Sequence, residues 1–153
     1  MDWTIAAAAL SLTVATDDQT SPPRVAHVVH GLVYFASSTA QRIREPGADV
    51  FAHLAPKVSD DAFVFVQGHS DAAGQARANQ DLSLRRARSV ADELVARGVR
   101  PRQITLIACG ERRLVVPTAP DAAEPLNRIV VFDWGRTPPK AREGCTSEPY
   151  LRP

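Results

Sequence analysis

The sequence has only two cysteines, almost no lysine and no excess of charge, and each shortage excludes a class of protein. Cys109 and Cys145 are too few for a disulfide scaffold. Eighteen Lys+Arg against 17 Asp+Glu leave a net charge of +1, so no overall field attracts nucleic acid or an anionic membrane. All basic residues except Lys57 and Lys140 are arginines, which suit forked hydrogen bonds to carboxylates or phosphates. A charged ligand must therefore be held by a local arrangement.

Long apolar runs and a Gly-rich phosphate loop are also absent. The apolar stretch in residues 1–15 is shorter than the roughly 20 residues that span a bilayer, so we expect no integral membrane span. Its length fits a signal-peptide core, although no Lys or Arg precedes Arg24. A packed N-terminal strand or helix is the alternative. No cysteine follows the stretch, which argues against a lipid anchor.

Composition divides the chain into three parts. Residues 1–24 are interpreted as a possible signal segment and a polar linker, and residues 25–134 as one globular domain. Residues 135–153 carry four prolines and little periodicity, which predicts an extended or disordered tail. Cys109 and Cys145 could join in an oxidising compartment and tie down this tail. We favour two independent thiols, with Cys109 buried at the end of a strand.

The apolar periodicity predicts alternating strands and helices. The predicted strands cover residues 26–35, 62–68, 104–109 and 129–134, and the predicted helices cover residues 47–57 and 76–97. This order predicts an α+β fold. We expect a two-layer α/β sandwich in βαβαββ order, with a mixed sheet of about four strands and the helices on one face.

Arg86 has an unusual position on the helix predicted for residues 76–97. It lies about 40° from Val90, on the border of the apolar stripe rather than in the solvated sector. A border arginine can lay its stem on apolar surface and present its head at a groove. Ordinary snorkelling is the alternative interpretation.

Asp71 is the candidate partner of Arg86. It follows the strand at 62–68. The segment from Asp71 to the start of the helix can extend about 15 Å outward, and Arg86 lies about 15 Å along the helix that returns. The two side chains are therefore predicted to face one groove. If the two side chains do not contact each other, they could bind a zwitterion. The carboxylate of Asp71 would bind its ammonium group, and the guanidinium of Arg86 would bind its carboxylate. A simple salt bridge is the alternative.

Two segments resemble the peptidoglycan-associating C-terminal domain of the OmpA family. GHSDAAG at 68–74 resembles the family's Gly-His-Thr-Asp-x-x-Gly turn, and NQDLSLRRARSVADEL at 79–94 resembles its N-x-x-L-S-x-x-R-A-x-x-V-x-x-x-L helix. The second motif is matched at Asn79, Leu82, Ser83, Arg86, Ala87, Val90 and Leu94. The resemblance extends through Gly110-Glu111 to Asn127-Arg128 and covers roughly residues 26–134.

The resemblance implies a non-catalytic periplasmic domain, associated with the outer membrane, that anchors an envelope component to the cell wall. By this implication Asp71 and Arg86 bind the diaminopimelate of the peptidoglycan stem peptide. Asn79 and Ser70 help to shape the pocket, and Arg128 lies near it. The resemblance implies no cofactor and no metal, and an envelope protein is a further candidate partner. Ile129 replaces the second arginine of the family's Asn-Arg-Arg ending, which leaves the affinity open.

Three alternatives remain. The lost second arginine is also compatible with an assembly module that does not bind the wall. His69, Ser70 and Asp71 are the residue types of a hydrolytic triad, but neighbours on an extended chain point in opposite directions, whereas a triad must converge. His27 and His30, with His53 or His69, suggest a metal site, yet residues three apart on a strand also oppose one another.

Overall fold

The computed structural model describes residues 31–40, 42, 49–140 and 142–151. Their strands and helices are β1 (Gly31–Tyr34), α1 (Val50–Leu54), β2 (Phe63–Gly68), α2 (Ala76–Ala96), β3 (Ile104–Ala108), β4 (Ile129–Gly135) and β5 (Thr146–Pro149). The predicted βαβαββ order is confirmed and is followed by one further strand. The candidate signal segment and linker at 1–24, and the pair His27 and His30, lie outside the described residues. None of the described helices combines the length and apolarity needed to cross a membrane.

The five strands form one mixed sheet in the order β1-β4-β2-β3-β5. β2 and β3 are parallel, as expected for strands joined by a crossover helix, and the other pairs are antiparallel. β2 lies in the middle of the sheet and its burial alternates: Val64 and Val66 are fully buried, whereas Phe63 is exposed. The predicted mixed sheet is confirmed, with one strand more than expected.

Both helices pack on one face of this sheet and share its core. The apolar stripe of α2 is fully buried at Ala87, Val90, Ala91 and Leu94. Phe51 of α1 joins the same core and stacks on Phe132 of β4, with ring centroids 5.7 Å apart. The predicted two-layer arrangement is therefore confirmed.

The tail prediction was wrong in part: residues 146–149 are extended, but they form a strand of the sheet, which the prediction did not include. β5 pairs antiparallel with β3, and Tyr150 beyond it is buried in the core. The preference for independent thiols was also wrong, because Cys109 and Cys145 form a disulfide. The sheet register gives the reason: Ala108 is paired with Thr146, so the next residues outward are Cys109 and Cys145, whose Cα atoms lie 4.2 Å apart.

Candidate ligand-binding site

A turn beyond the end of β2 carries Ser70 and Asp71 into the space beside α2. Gly68 allows α2 to approach closely, because a Cβ there would meet the backbone oxygen of Ser83 at 2.0 Å. The turn is fixed on both sides: the His69 amide donates to the Ile129 carbonyl at 2.9 Å, and the Ser70 amide to the Gly110 carbonyl at 3.0 Å. Asp71 is thereby held at the end of the sheet.

Asp71 is buried and forms an ion pair with Arg128. The Nε of Arg128 donates to Oδ2 of Asp71 at 2.7 Å, and the two side chains are 14% and 10% exposed respectively. Oδ1 of Asp71 has no hydrogen-bond donor among the described residues. The described residues thus leave half of this buried carboxylate for another cation.

Arg86 is fully buried, with 0% exposure. Its Nε donates to the Thr39 carbonyl at 2.9 Å, Nη1 to the His69 carbonyl at 3.0 Å and Nη2 to the Ala36 carbonyl at 3.1 Å. The guanidinium also lies over the Phe35 ring, 5.5 Å from its centroid. The sequence predicted a head presented at a groove, whereas the structure encloses it under the segment Ala36–Thr39.

No acid among the residues that the structure describes neutralises the charge of Arg86 by direct contact. Among the described residues, no carboxylate lies within 4 Å of its guanidinium, and three of its five N–H groups are used by carbonyls. Burial lowers the pKa of Arg86 to about 10, and the nearby charge of Asp71 opposes this shift. Asp71 and Arg86 are therefore close enough to interact electrostatically, but no hydrogen bond joins them.

Asn79 connects the two turns that border the site. Its Nδ2 donates to the Ala73 carbonyl at 3.1 Å in the turn after β2, and to Oε2 of Glu111 at 2.6 Å in the turn after β3. The second turn is also fixed by Ser83, whose hydroxyl accepts from the Gly110 amide at 3.0 Å. Two motif residues of α2 thus hold both turns in place.

The side chains of Ser70 and His69 are not hydrogen-bonded to each other. The hydroxyl of Ser70 is completely buried and forms no hydrogen bond with the described residues. The imidazole Nε2 of His69 lies 2.7 Å from Nε2 of Gln67, two residues back along β2. No hydrogen bond joins the Ser70 hydroxyl to the His69 ring, so these residues do not form a nucleophile–base pair.

The family is decided by comparison with known sequences. The model of the OmpA family matches residues 34–128, which is more than half of the chain. The chain belongs to the OmpA family. Outer membrane porin F of Pseudomonas fluorescens is 45% identical over 67 residues, which are 44% of this chain and 21% of that protein. This OmpA-family domain thus matches about a fifth of the length of that relative.

Solved structures share the fold of this OmpA-family domain. The peptidoglycan-associated lipoprotein of Burkholderia pseudomallei aligns with a TM-score of 0.58 and 22% identity, over 68% of this chain and 89% of that one. The OmpA-like domain of FopA1 from Francisella tularensis aligns with a TM-score of 0.55 and 20% identity, over 78% of this chain and 72% of that one. The C-terminal domain of Helicobacter pylori MotB aligns with a TM-score of 0.53 and 20% identity, over 67% of this chain and 83% of that one. At these identities the similarity establishes the fold alone.

The structure brings all five predicted site residues of the OmpA-family domain to one end of the sheet. Arg128, predicted only to lie near the pocket, contacts Asp71 directly. Sequence reasoning missed Glu111, although the resemblance already included it. It also missed the carbonyls of Ala36 and Thr39, and backbone acceptors have no signature in the sequence.

His69 makes the stability of the domain dependent on pH. Burial lowers the pKa of His69 to about 4; the backbone of Arg113 opposes this shift, and the charges of Arg113 and Arg142 add to it. The histidine of an unfolded chain has a pKa of about 6.5. Below that pH the unfolded chain binds more protons than the folded domain, so the free energy of unfolding decreases as the pH decreases. We expect a loss of about 2–3 kcal/mol between pH 7 and about pH 4.5, measured by denaturant unfolding.

Two variants test this prediction. His69→Gln should lose most of the pH dependence, whereas His53→Gln, at an exposed position on α1, should keep it. If both variants follow the wild type between pH 7 and pH 4.5, the titration of another group causes the loss.

Proposed function

We propose that this OmpA-family domain binds peptidoglycan without catalysis, through the diaminopimelate of the stem peptide, and anchors an envelope component to the cell wall in the periplasm. The supporting observation is the buried guanidinium of Arg86 near the buried carboxylate of Asp71, of which Arg128 binds one oxygen. Among the described residues, the guanidinium of Arg86 donates hydrogen bonds only to neutral carbonyls, and Oδ1 of Asp71 has no donor. This arrangement suits a ligand that carries both an anionic and a cationic group.

The carboxylate of the ligand would bind at Arg86. Two N–H groups of the guanidinium remain beyond those that the carbonyls use, and a guanidinium binds a carboxylate best through two parallel bonds. Since Arg86 is fully buried, the ligand reaches it when the segment Ala36–Thr39 moves aside. Ser38 in that exposed segment adopts a left-handed φ of 54°, which is unfavourable for a residue with a Cβ.

The ammonium of the ligand would bind at Oδ1 of Asp71. Arg128 occupies only Oδ2, so it orients the carboxylate without using both oxygens. The buried hydroxyl of Ser70 would gain a partner from the ligand, which removes the cost of about 1–3 kcal/mol for an unsatisfied buried polar group. Asn79 keeps the wall of the pocket in place through its bond to Glu111.

Two further observations support this proposal. The fold neighbour from Burkholderia pseudomallei is named for its association with peptidoglycan, and the disulfide Cys109–Cys145 suits an oxidising compartment such as the periplasm. The lack of a hydrogen bond between Ser70 and His69 supports binding rather than hydrolysis.

The test is retention of the purified domain by isolated peptidoglycan sacculi. We expect Asp71→Asn to weaken binding by about ten- to a hundredfold, because it removes one charge-assisted hydrogen bond to the ligand ammonium. Asparagine keeps an oxygen that can accept from Arg128, so the fold is retained. Apparent dissociation constants come from pelleting at increasing sacculus concentration.

Asp60→Asn is the matched control. It makes the same chemical change at another Asp–Arg pair, where Arg100 contacts Asp60 at the opposite end of the sheet. Equal retention of both variants and the wild type would contradict binding at Asp71. A folded wild type that sacculi do not retain at all would favour the assembly module. Release of soluble muropeptides would indicate a hydrolase.

A further inference from the structure

Four cations lie on two segments that are distant in sequence: residues 112–113, the first segment, and residues 138–140 and 142–147, the second segment. We call Arg112, Arg113, Lys140 and Arg142 the basic cluster; all four residues are exposed. Arg112 packs on the second segment, since a Cβ at Gly144 would lie 3.3 Å from its Cδ. The charges of Arg113 and Arg142 both act on the imidazole of His69, which places both near that ring. The disulfide Cys109–Cys145 holds the two segments together.

Within the described part of the chain, no acid forms an ion pair with the basic cluster. None of its four members has a carboxylate within 4 Å among the described residues, whereas Arg88, Arg97, Arg100 and Arg128 all form ion pairs. Glu143 is the acid that lies within the second segment, and it is exposed. In a chain with a net charge of +1, this surface is a local concentration of positive charge.

A cavity of about 250 Å³ opens next to the basic cluster, between the sheet and the second segment. Lys140 and Arg142 line it together with Ile107 and the hydroxyl-bearing Thr146 and Ser147. Its volume is below the roughly 300–1,000 Å³ of pockets for drug-sized ligands. The cavity therefore suits one small polar or acidic unit of a larger molecule.

The basic cluster and the proposed site share one end of the sheet. The parallel strands β2 and β3 both end there, and Glu111, bonded to Asn79 of the site, directly precedes Arg112. We propose that the basic cluster is a second contact surface for peptidoglycan, which binds free carboxylates of stem peptides adjacent to the one held at Asp71 and Arg86. This inference rests on the proposed function, because it assigns the cluster to the same polymer.

The residue types favour carboxylates of a hydrated polymer over a membrane surface. Arginine forks match carboxylates, and the second segment offers threonine, serine and proline around the cations. Amphipathic membrane anchors insert large apolar side chains between the lipids, and apart from Ile107 the cavity is lined by small, polar or charged side chains and prolines. Each exposed ion pair contributes little, but a second contact on a tethered polymer forms at high effective concentration.

The experiment compares two charge-reversal variants of the full chain with its disulfide intact. Arg113→Glu/Arg142→Glu reverses two charges of the basic cluster. Arg102→Glu/Arg136→Glu reverses two exposed charges before β3 and after β4, at the opposite end of the sheet. At about 20 mM NaCl we expect the cluster variant to bind sacculi about tenfold more weakly than this control, and at about 500 mM NaCl the two should converge.

The outcomes separate this inference from the proposed function. If both double variants weaken equally while Asp71→Asn still weakens retention, the basic cluster makes no specific contact and the proposed function stands. Salt-independent loss in the cluster variant would also overturn the inference. Stronger binding of the wild type to phosphatidylglycerol vesicles than to sacculi, lost in the cluster variant, would assign the cluster to a membrane. If sacculi do not retain the wild type, both proposals fail together.

Discussion

Replacing Arg86 with methionine is expected to lower the free energy of unfolding by about 3–5 kcal/mol, comparable to breaking a buried charge network. Methionine fills part of the volume but donates no hydrogen bond. The carbonyls of Ala36, Thr39 and His69 would each lose a donor, and an unsatisfied buried acceptor costs about 1–3 kcal/mol. The contact with the Phe35 ring would lose its cationic component. Denaturant unfolding in oxidising buffer measures the change.

Arg85→Met is the matched control for this prediction. Arg85 precedes Arg86 on α2 but is exposed, so its loss should cost no more than about 0.5 kcal/mol. Equal stability of the two variants would show that the three carbonyls are satisfied without the guanidinium. Because Arg86 supports the fold, its variants cannot by themselves report on ligand binding, and Asp71→Asn is the cleaner test.

Loss of the disulfide is expected to lower the free energy of unfolding by about 4 kcal/mol. Cys109 and Cys145 are separated by 36 residues, and closing a loop of this length restricts the unfolded chain by about that amount. Cys145→Ala removes the bond and leaves Cys109 as a buried thiol, which packs like a small apolar residue. The measurement is denaturant unfolding of the wild type and of Cys145→Ala.

Reductant supplies the control for the disulfide. Dithiothreitol should lower the stability of the wild type to that of Cys145→Ala, and it should leave the variant unchanged. The tail keeps other attachments, because the Tyr150 hydroxyl donates to Asp92 at 2.5 Å and Arg88 pairs with Glu148 at 2.8 Å. If removal of the disulfide leaves the unfolding midpoint unchanged, these contacts alone restrict the tail.

The central helix and strands were predictable because their residues repeat with clear periods. The buried stripe of α2 follows from Ala87, Val90, Ala91 and Leu94. Its end follows from Gly98, which has a φ of +99° and lies inside a hydrogen-bonded turn in which the Val99 amide donates to the Leu94 carbonyl at 3.1 Å. Local sequence and tertiary packing agree in these elements.

The fifth strand and the enclosure of Arg86 could not be predicted in the same way. Thr146–Pro149 has no alternation of apolar and polar residues, and it becomes a strand through a disulfide and the burial of Tyr150. Arg86 lay on the border of the stripe in the helical pattern. Its burial depends on carbonyls of the segment Ala36–Thr39, 47 to 50 residues away in sequence.

The pairing of β5 with β3 also affects the behaviour of the domain at high concentration. β3 is apolar, and as an outer strand it would offer unpaired backbone groups to another chain, which is a route to aggregation. β5 replaces that edge with four mostly exposed residues, among them Glu148 and Pro149. A short strand with a charge and a proline is a poor template for further strands, so the tail blocks edge-to-edge association of neighbouring molecules.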